Sequence, residues 1–187
     1  MLFIWRLHLS EVHEYGADVS QLHDFFTSVD GFEVVETSYR ADYTEADLIQ
    51  ADSGATGNNV GNLPATFSWN SLYASENSDT TEAWVSDAKD SYFVKWLTDH
   101  LENDRPIMVE WADWDGHWQS IIGYDNNGTP GIGDDMLIFA DPYDTSDHWQ
   151  DGYFFYPVER WFAQWNDRNI APKPFQLQPF IVVDYNK

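Results

Sequence analysis

Two polar residues at the ends of neighbouring apolar runs are the positions best suited to chemistry. His117 opens the run Trp118–Tyr124, and Asp141 closes the run Met136–Ala140. If these runs pair as adjacent antiparallel strands, the imidazole and the carboxylate meet at one end of the hairpin. A carboxylate placed there holds an imidazole in one tautomer and orientation, as a thiol or hydroxyl nucleophile requires of its base. The chain itself supplies no thiol, because its 187 residues include no cysteine. Plainer readings exist for each residue. A histidine between Gly116 and Trp118 at the mouth of a strand is often structural, and Asp141-Pro142 is a common way to start a turn. Trp118 reads as core or as the wall of a cleft.

The motifs around this pair run Arg105-Pro106-Ile107-Met108-Val109-Glu110, Gly116-His117-Trp118, Gly123-Tyr124-Asp125 and Ala140-Asp141-Pro142-Tyr143. From about residue 90 to 165 that order resembles the second half of the papain-fold cysteine peptidases of the bacteriocin-processing type, a broad bacterial group. A weaker similarity covers Tyr15–Val35, where Tyr-Gly-Ala-Asp-Val-Ser-Gln-Leu resembles the segment after the nucleophile helix. The resemblance implies an α+β, papain-like fold, with helices packed on an antiparallel sheet and a peptide or protein as substrate. By the same resemblance His117 is the base and Asp141 its orienter. The family's cysteine, its helix and an upstream oxyanion glutamine are then expected before residue 1. On that reading the chain is a hydrolase domain incomplete at its N-terminus and inactive as given. The alternative is a non-catalytic peptide-binding or structural module on the same fold.

Three further stretches invite chemical readings. Asp125-Asn126-Asn127-Gly128-Thr129-Pro130-Gly131-Ile132-Gly133-Asp134-Asp135 carries oxygen ligands at alternate positions, like the start of a calcium loop. It lacks the spaced glutamate that completes an EF-hand, and a hairpin connection rich in turn formers explains it equally well. Asp144, Asp147, His148 and Asp151 form a second polar run, but one histidine among flexible carboxylates is a weak transition-metal set. No cofactor is expected, and calcium at the first of these stretches is the alternative. Gln50 with Ser53-Gly54-Ala55-Thr56 mimics a nucleophile motif in which serine replaces cysteine. The residues that follow, Gly57 to Pro64, cannot build the helix whose dipole activates such a nucleophile.

Composition bounds the rest. A chain of this length is most simply one domain over residues 1–187 with a proper core. Its 17% aromatic content, with ten tryptophans, argues against disorder despite a net charge of -23. So acidic a chain repels a nucleic-acid backbone, which excludes DNA and RNA as partners. The acidity fits salt adaptation, cation binding, attraction of cationic peptides or plain surface hydration. No stretch has the length of a membrane span. Met1–Leu9 is apolar, yet too short and interrupted for a signal peptide, with no basic n-region or cleavage site. It fits a chain cut inside a domain. Without cysteine the redox compartment stays open, and oligomeric state is not legible.

The elements that must position the pair follow from periodicity. Asp18 or Ser20 can cap a short helix whose Leu22, Phe25 and Phe26 face the core, ended by Gly31 and followed by a strand over Phe32–Thr37. Residues 41–81 read as an irregular insertion with one helical turn near Tyr43–Ile49. A helix over Trp84–Leu101, capped by Thr80 or Thr81, is expected from Trp84, Ala88, Tyr92, Trp96 and His100 at four-residue spacing. After Pro106 come strands near 107–111, 118–124, 136–140 and 152–156. Pro157 starts a helix with the stripe Val158, Trp161, Phe162 and Trp165, and Phe180–Val183 reads as the last strand. An antiparallel α+β domain is the expectation.

Overall fold

The computed structural model describes residues 19–39, 59–60, 63–64, 66–111, 116–144, 147–166 and 178–185. Within them, helix α1 (Val19–Ser28) leads into strand β1 (Phe32–Thr37) through Gly31, whose φ of 92° suits a residue without a Cβ. The two-residue strands β2 (Asn59–Val60) and β3 (Leu63–Pro64) form a small hairpin. Helix α2 (Tyr92–Glu102) precedes β4 (Ile107–Trp111), β5 (His117–Asp125), β6 (Met136–Ala140), β7 (Tyr153–Pro157), α3 (Val158–Trp165) and β8 (Phe180–Tyr185). The six longer strands form one sheet in the order β1-β8-β4-β5-β6-β7, and every pairing is antiparallel. The strands expected after Pro106 and over Phe32–Thr37 are present.

Alternation along the strands divides the core between two faces. Ile107, Val109, Trp111, Ile121, Leu137, Phe139, Phe154 and Val182 point to one side and pack with Phe93 and Leu97 of α2 and Trp161, Phe162 and Trp165 of α3. Trp161 and Trp165 stack with ring centroids 4.6 Å apart, and Phe93 meets Phe162 edge-on at 5.1 Å. The other side is thinner, with Ile181 buried against Leu22 and Phe26 of α1, and Met108, Val183 and Trp118 packed around them. Trp118 is therefore core on the α1 side and not part of the face that carries His117.

One expectation is corrected. The helix expected over Trp84–Leu101 begins at Tyr92, where Ser91 and not Thr80 or Thr81 caps it, its Oγ accepting from the Val94 amide at 3.2 Å. Upstream, Asp87 Oδ1 accepts from the Lys89 amide at 3.2 Å and sets a 3-10 turn over Ala88–Asp90. Both short polar side chains bond the backbone locally and interrupt the helical ladder, which the four-residue apolar spacing does not reveal. Trp84 is instead bridged to Ala74 and is 57% exposed. The irregular stretch expected over 41–81 is described only in part. Its described part includes a 3-10 turn at Trp69–Leu72 and the buried Phe67, whose backbone N–H and C=O are both bonded by the Gln178 amide at 2.8 and 3.0 Å. Phe67 is thus part of the core, while Tyr43–Ile49 lies outside the described residues.

Replacing Ser91 by alanine removes the cap from α2. The urea midpoint is expected to fall by the equivalent of about 1 kcal/mol with an unchanged m-value.

Candidate active site

The β5–β6 hairpin sets the site. Ser120 pairs with Ala140 and Ile121 with Phe139, after which an extra residue, Ile122, shifts the register so that Gly123 faces Ile138. Glycine suits this position because a Cβ would lie 2.9 Å from Ile138 Cδ1 and force that side chain to shift. Toward the other end β5 runs three residues beyond the Ser120–Ala140 pair to His117, whereas β6 stops one residue short of Asp141. Both side chains come to the same end of the sheet. His117 Nε2 and Asp141 Oδ1 are 2.7 Å apart, the histidine side chain 8% exposed and the aspartate side chain fully buried.

Asp141 is held from several directions. Its amide donates to the Gly152 carbonyl at 2.9 Å, and its Oδ1 accepts the Tyr143 amide at 2.9 Å in the turn that Pro142 initiates. Burial alone raises the pKa of such a carboxyl. Hydrogen bonds from His117, the Tyr143 amide and Gln119, with the His117 charge, outweigh it and hold the carboxyl below its ordinary value of 3.8. An ionised carboxylate only accepts, so His117 Nε2 bears a proton, and in the neutral ring the lone pair then lies on Nδ1. Tyr143 lies flat against the imidazole, with centroids 4.6 Å apart and planes 26° from parallel.

Neither Gln119 nor Trp111 stood out in the sequence. Both are buried, and the Trp111 indole N–H donates to Gln119 Oε1. The signal was available in the alternation, which puts Gln119 on the same face as His117, but a glutamine within an apolar run carries no motif. The structure shows Tyr143 beside His117, while an open depression of about 470 Å³ lies along β1 and α1, three strands away.

The remaining candidates are placed as follows. Asp125 Oδ1 accepts the Asn127 amide at 2.8 Å, and Asp134 Oδ1 accepts the Thr129 hydroxyl at 2.7 Å. Asp135 is fully buried and takes the Tyr124 hydroxyl. Asp147 and Asp151 each accept the amide two residues on, from Trp149 and Tyr153. These carboxylates serve turns, and among the described residues no group of three or more His, Asp or Glu is arranged to hold a metal ion. Gln50 and Ser53 lie outside the described residues. No helix among those residues is long and apolar enough to cross a membrane.

An imidazole fixed by a buried carboxylate at the end of an antiparallel sheet is the arrangement by which nucleophilic hydrolases prepare a base. The chain matches the Peptidase_C39 like family over residues 20–168 and belongs to that family. No curated protein and no solved structure matches it.

A lowered pKa has a defined effect on stability. Asp141 favours the folded state fully above its unfolded value, near 3.8, and that contribution is lost as the pH falls through its lower folded value. Replacing Asp141 by asparagine is therefore expected to lower stability at neutral pH by about 1–3 kcal/mol. The gap to the parent should narrow below pH 4 in urea titrations.

Proposed function

We propose that the chain carries the base half of a papain-fold cysteine peptidase, formed as one domain over residues 1–187, with His117 as general base and Asp141 as its orienter. The observation that supports this best is the 2.7 Å contact between His117 Nε2 and the buried Asp141 Oδ1, in a chain of the Peptidase_C39 like family. In this reading the lone pair on Nδ1 takes the proton of a thiol, and the thiolate attacks a peptide carbonyl. The imidazolium then returns the proton to the departing amine, and water releases the acyl group from sulfur by the same acid–base cycle. Asp141 stabilises the imidazolium and keeps the ring from turning.

The nucleophile of that cycle is not in this chain, which has no cysteine. The chain alone therefore does not hydrolyse peptides by the thiolate route, since loss of one member of a cooperating set removes most of the acceleration. The same absence favours a second reading, a peptide-binding or structural module that keeps the geometry without the chemistry.

Incubation with a mixed peptide library, with and without a thiol-directed inhibitor, separates these readings. The 187-residue chain is expected to show no turnover. Joining an N-terminal segment that carries a cysteine should produce inhibitor-sensitive turnover, reduced by about 10²–10⁴-fold when His117 becomes alanine. Turnover of the unextended chain that the inhibitor leaves untouched overturns the assignment and points to another nucleophile. Failure of every cysteine-bearing extension to act supports the binding module.

A further inference from the structure

We propose that Gln119, locked in one amide orientation by Trp111, is a positioning residue for the His117–Asp141 pair. Its catalytic meaning rests on the reading above, but its geometry does not. On β4, Trp111 stands opposite His117 and Val109 opposite Gln119, so the indole reaches Gln119 along the diagonal of the ladder. On the other side, the Ser120–Ala140 pair, continued by one residue, sets Asp141 opposite Gln119. Gln119 thus sits between the two, on the same face as His117, with only 2% of its surface exposed.

A glutamine amide has two chemically different ends, and density of packing alone cannot choose between them. Here the choice is made by Trp111, whose indole offers only a donor. Its N–H takes Gln119 Oε1, which leaves the amide N–H₂ for Asp141. With the opposite orientation an amide oxygen would face the carboxylate and a donor would face the indole N–H, two repulsive contacts in a buried place. Trp111 is fixed in turn by stacking on Phe139 at 5.8 Å and by an edge contact with Tyr156 at 4.9 Å. The chain of control therefore runs from a rigid aromatic, through a neutral amide, to the carboxylate that holds the imidazole. Of the groups that bond Asp141, His117 is titratable, while Gln119 and the Tyr143 amide do not titrate.

The test is a carbon-detected NMR titration of the Asp141 carboxyl in the 187-residue chain, which requires no turnover. Gln119→Leu removes one donor from a buried carboxylate, and the Asp141 midpoint is expected to rise by about one pH unit. Trp111→Phe releases the amide and should move the midpoint the same way by less. Gln119→Glu keeps the side-chain shape but sets a second carboxyl against Asp141, so two coupled steps are expected, the upper one raised by more than in the leucine variant. This variant also carries the test if the leucine variant fails to fold. An Asp141 midpoint unchanged from the parent in the folded Gln119 variants overturns the proposal. A shifted midpoint in a chain that never gains peptidase activity upholds the positioning role and sinks only the peptidase reading.

Discussion

A carboxylate buried as completely as that of Asp141 remains ionised only where hydrogen-bond donors replace the water it has lost. Three donors do so here, and each comes from a different structural device. His117 arrives through the overhang of β5 past β6, the Tyr143 amide through the turn at Pro142, and Gln119 through the strand register one step beyond Ser120 and Ala140. A slip of one residue between β5 and β6 would turn His117 and Gln119 to the opposite face of the sheet. The hairpin register and the ionisation of Asp141 are thus coupled, and the bulge at Ile122 with Gly123 beneath Ile138 helps to pin that register.

The aromatic content makes the surrounding platform stiff. Trp111, Phe139 and Phe154 lie on three strands as successive stacked rings, the last two within 10° of parallel. Behind them the tryptophans of α3 fill the space that smaller side chains would leave adaptable. Such rings lose little conformational freedom on burial and offer few alternative rotamers, so an indole N–H anchored there can select one orientation of a glutamine amide. Placing the pair at strand ends on this platform, with a turn supplying the last donor, gives the precision that a loop alone would lack.

Polar pins hold the sheet together away from the site. Glu36 on β1 accepts from Trp96 Nε1 at 3.0 Å and faces His100 Nε2 at 3.1 Å, joining the edge strand to α2. The His100 contact, working against burial, keeps that carboxyl below its ordinary range. Arg105 meets Asp184 on β8 at 2.8 Å, a rare use of cations in a chain with nine Lys and Arg against 32 Asp and Glu. Asp125, Asp134, Asp147 and Asp151 are engaged in closing local turns.

Strand positions, the final helix and the pairing of His117 with Asp141 were legible in the sequence, because two-residue alternation and the residues that bound it are local signals. The absence of cysteine was equally plain, and with it the limit on thiolate chemistry by this chain alone. The start of α2 was not legible. Apolar spacing continued from Trp84 through Tyr92, and only the folded backbone shows that Asp87 and Ser91 bond the chain locally and break the helix between them. Nor could the sequence bring Trp111 of β4 to Gln119 and so assign either to the site. Alternation says which residues share a face of one strand; which residues of other strands stand beside them depends on register, a bulge and the strand order β4-β5-β6, and these are properties of the assembled sheet. Tertiary structure decided the surroundings of Asp141 because its donors converge from segments separated in sequence, and burial makes their number and direction count.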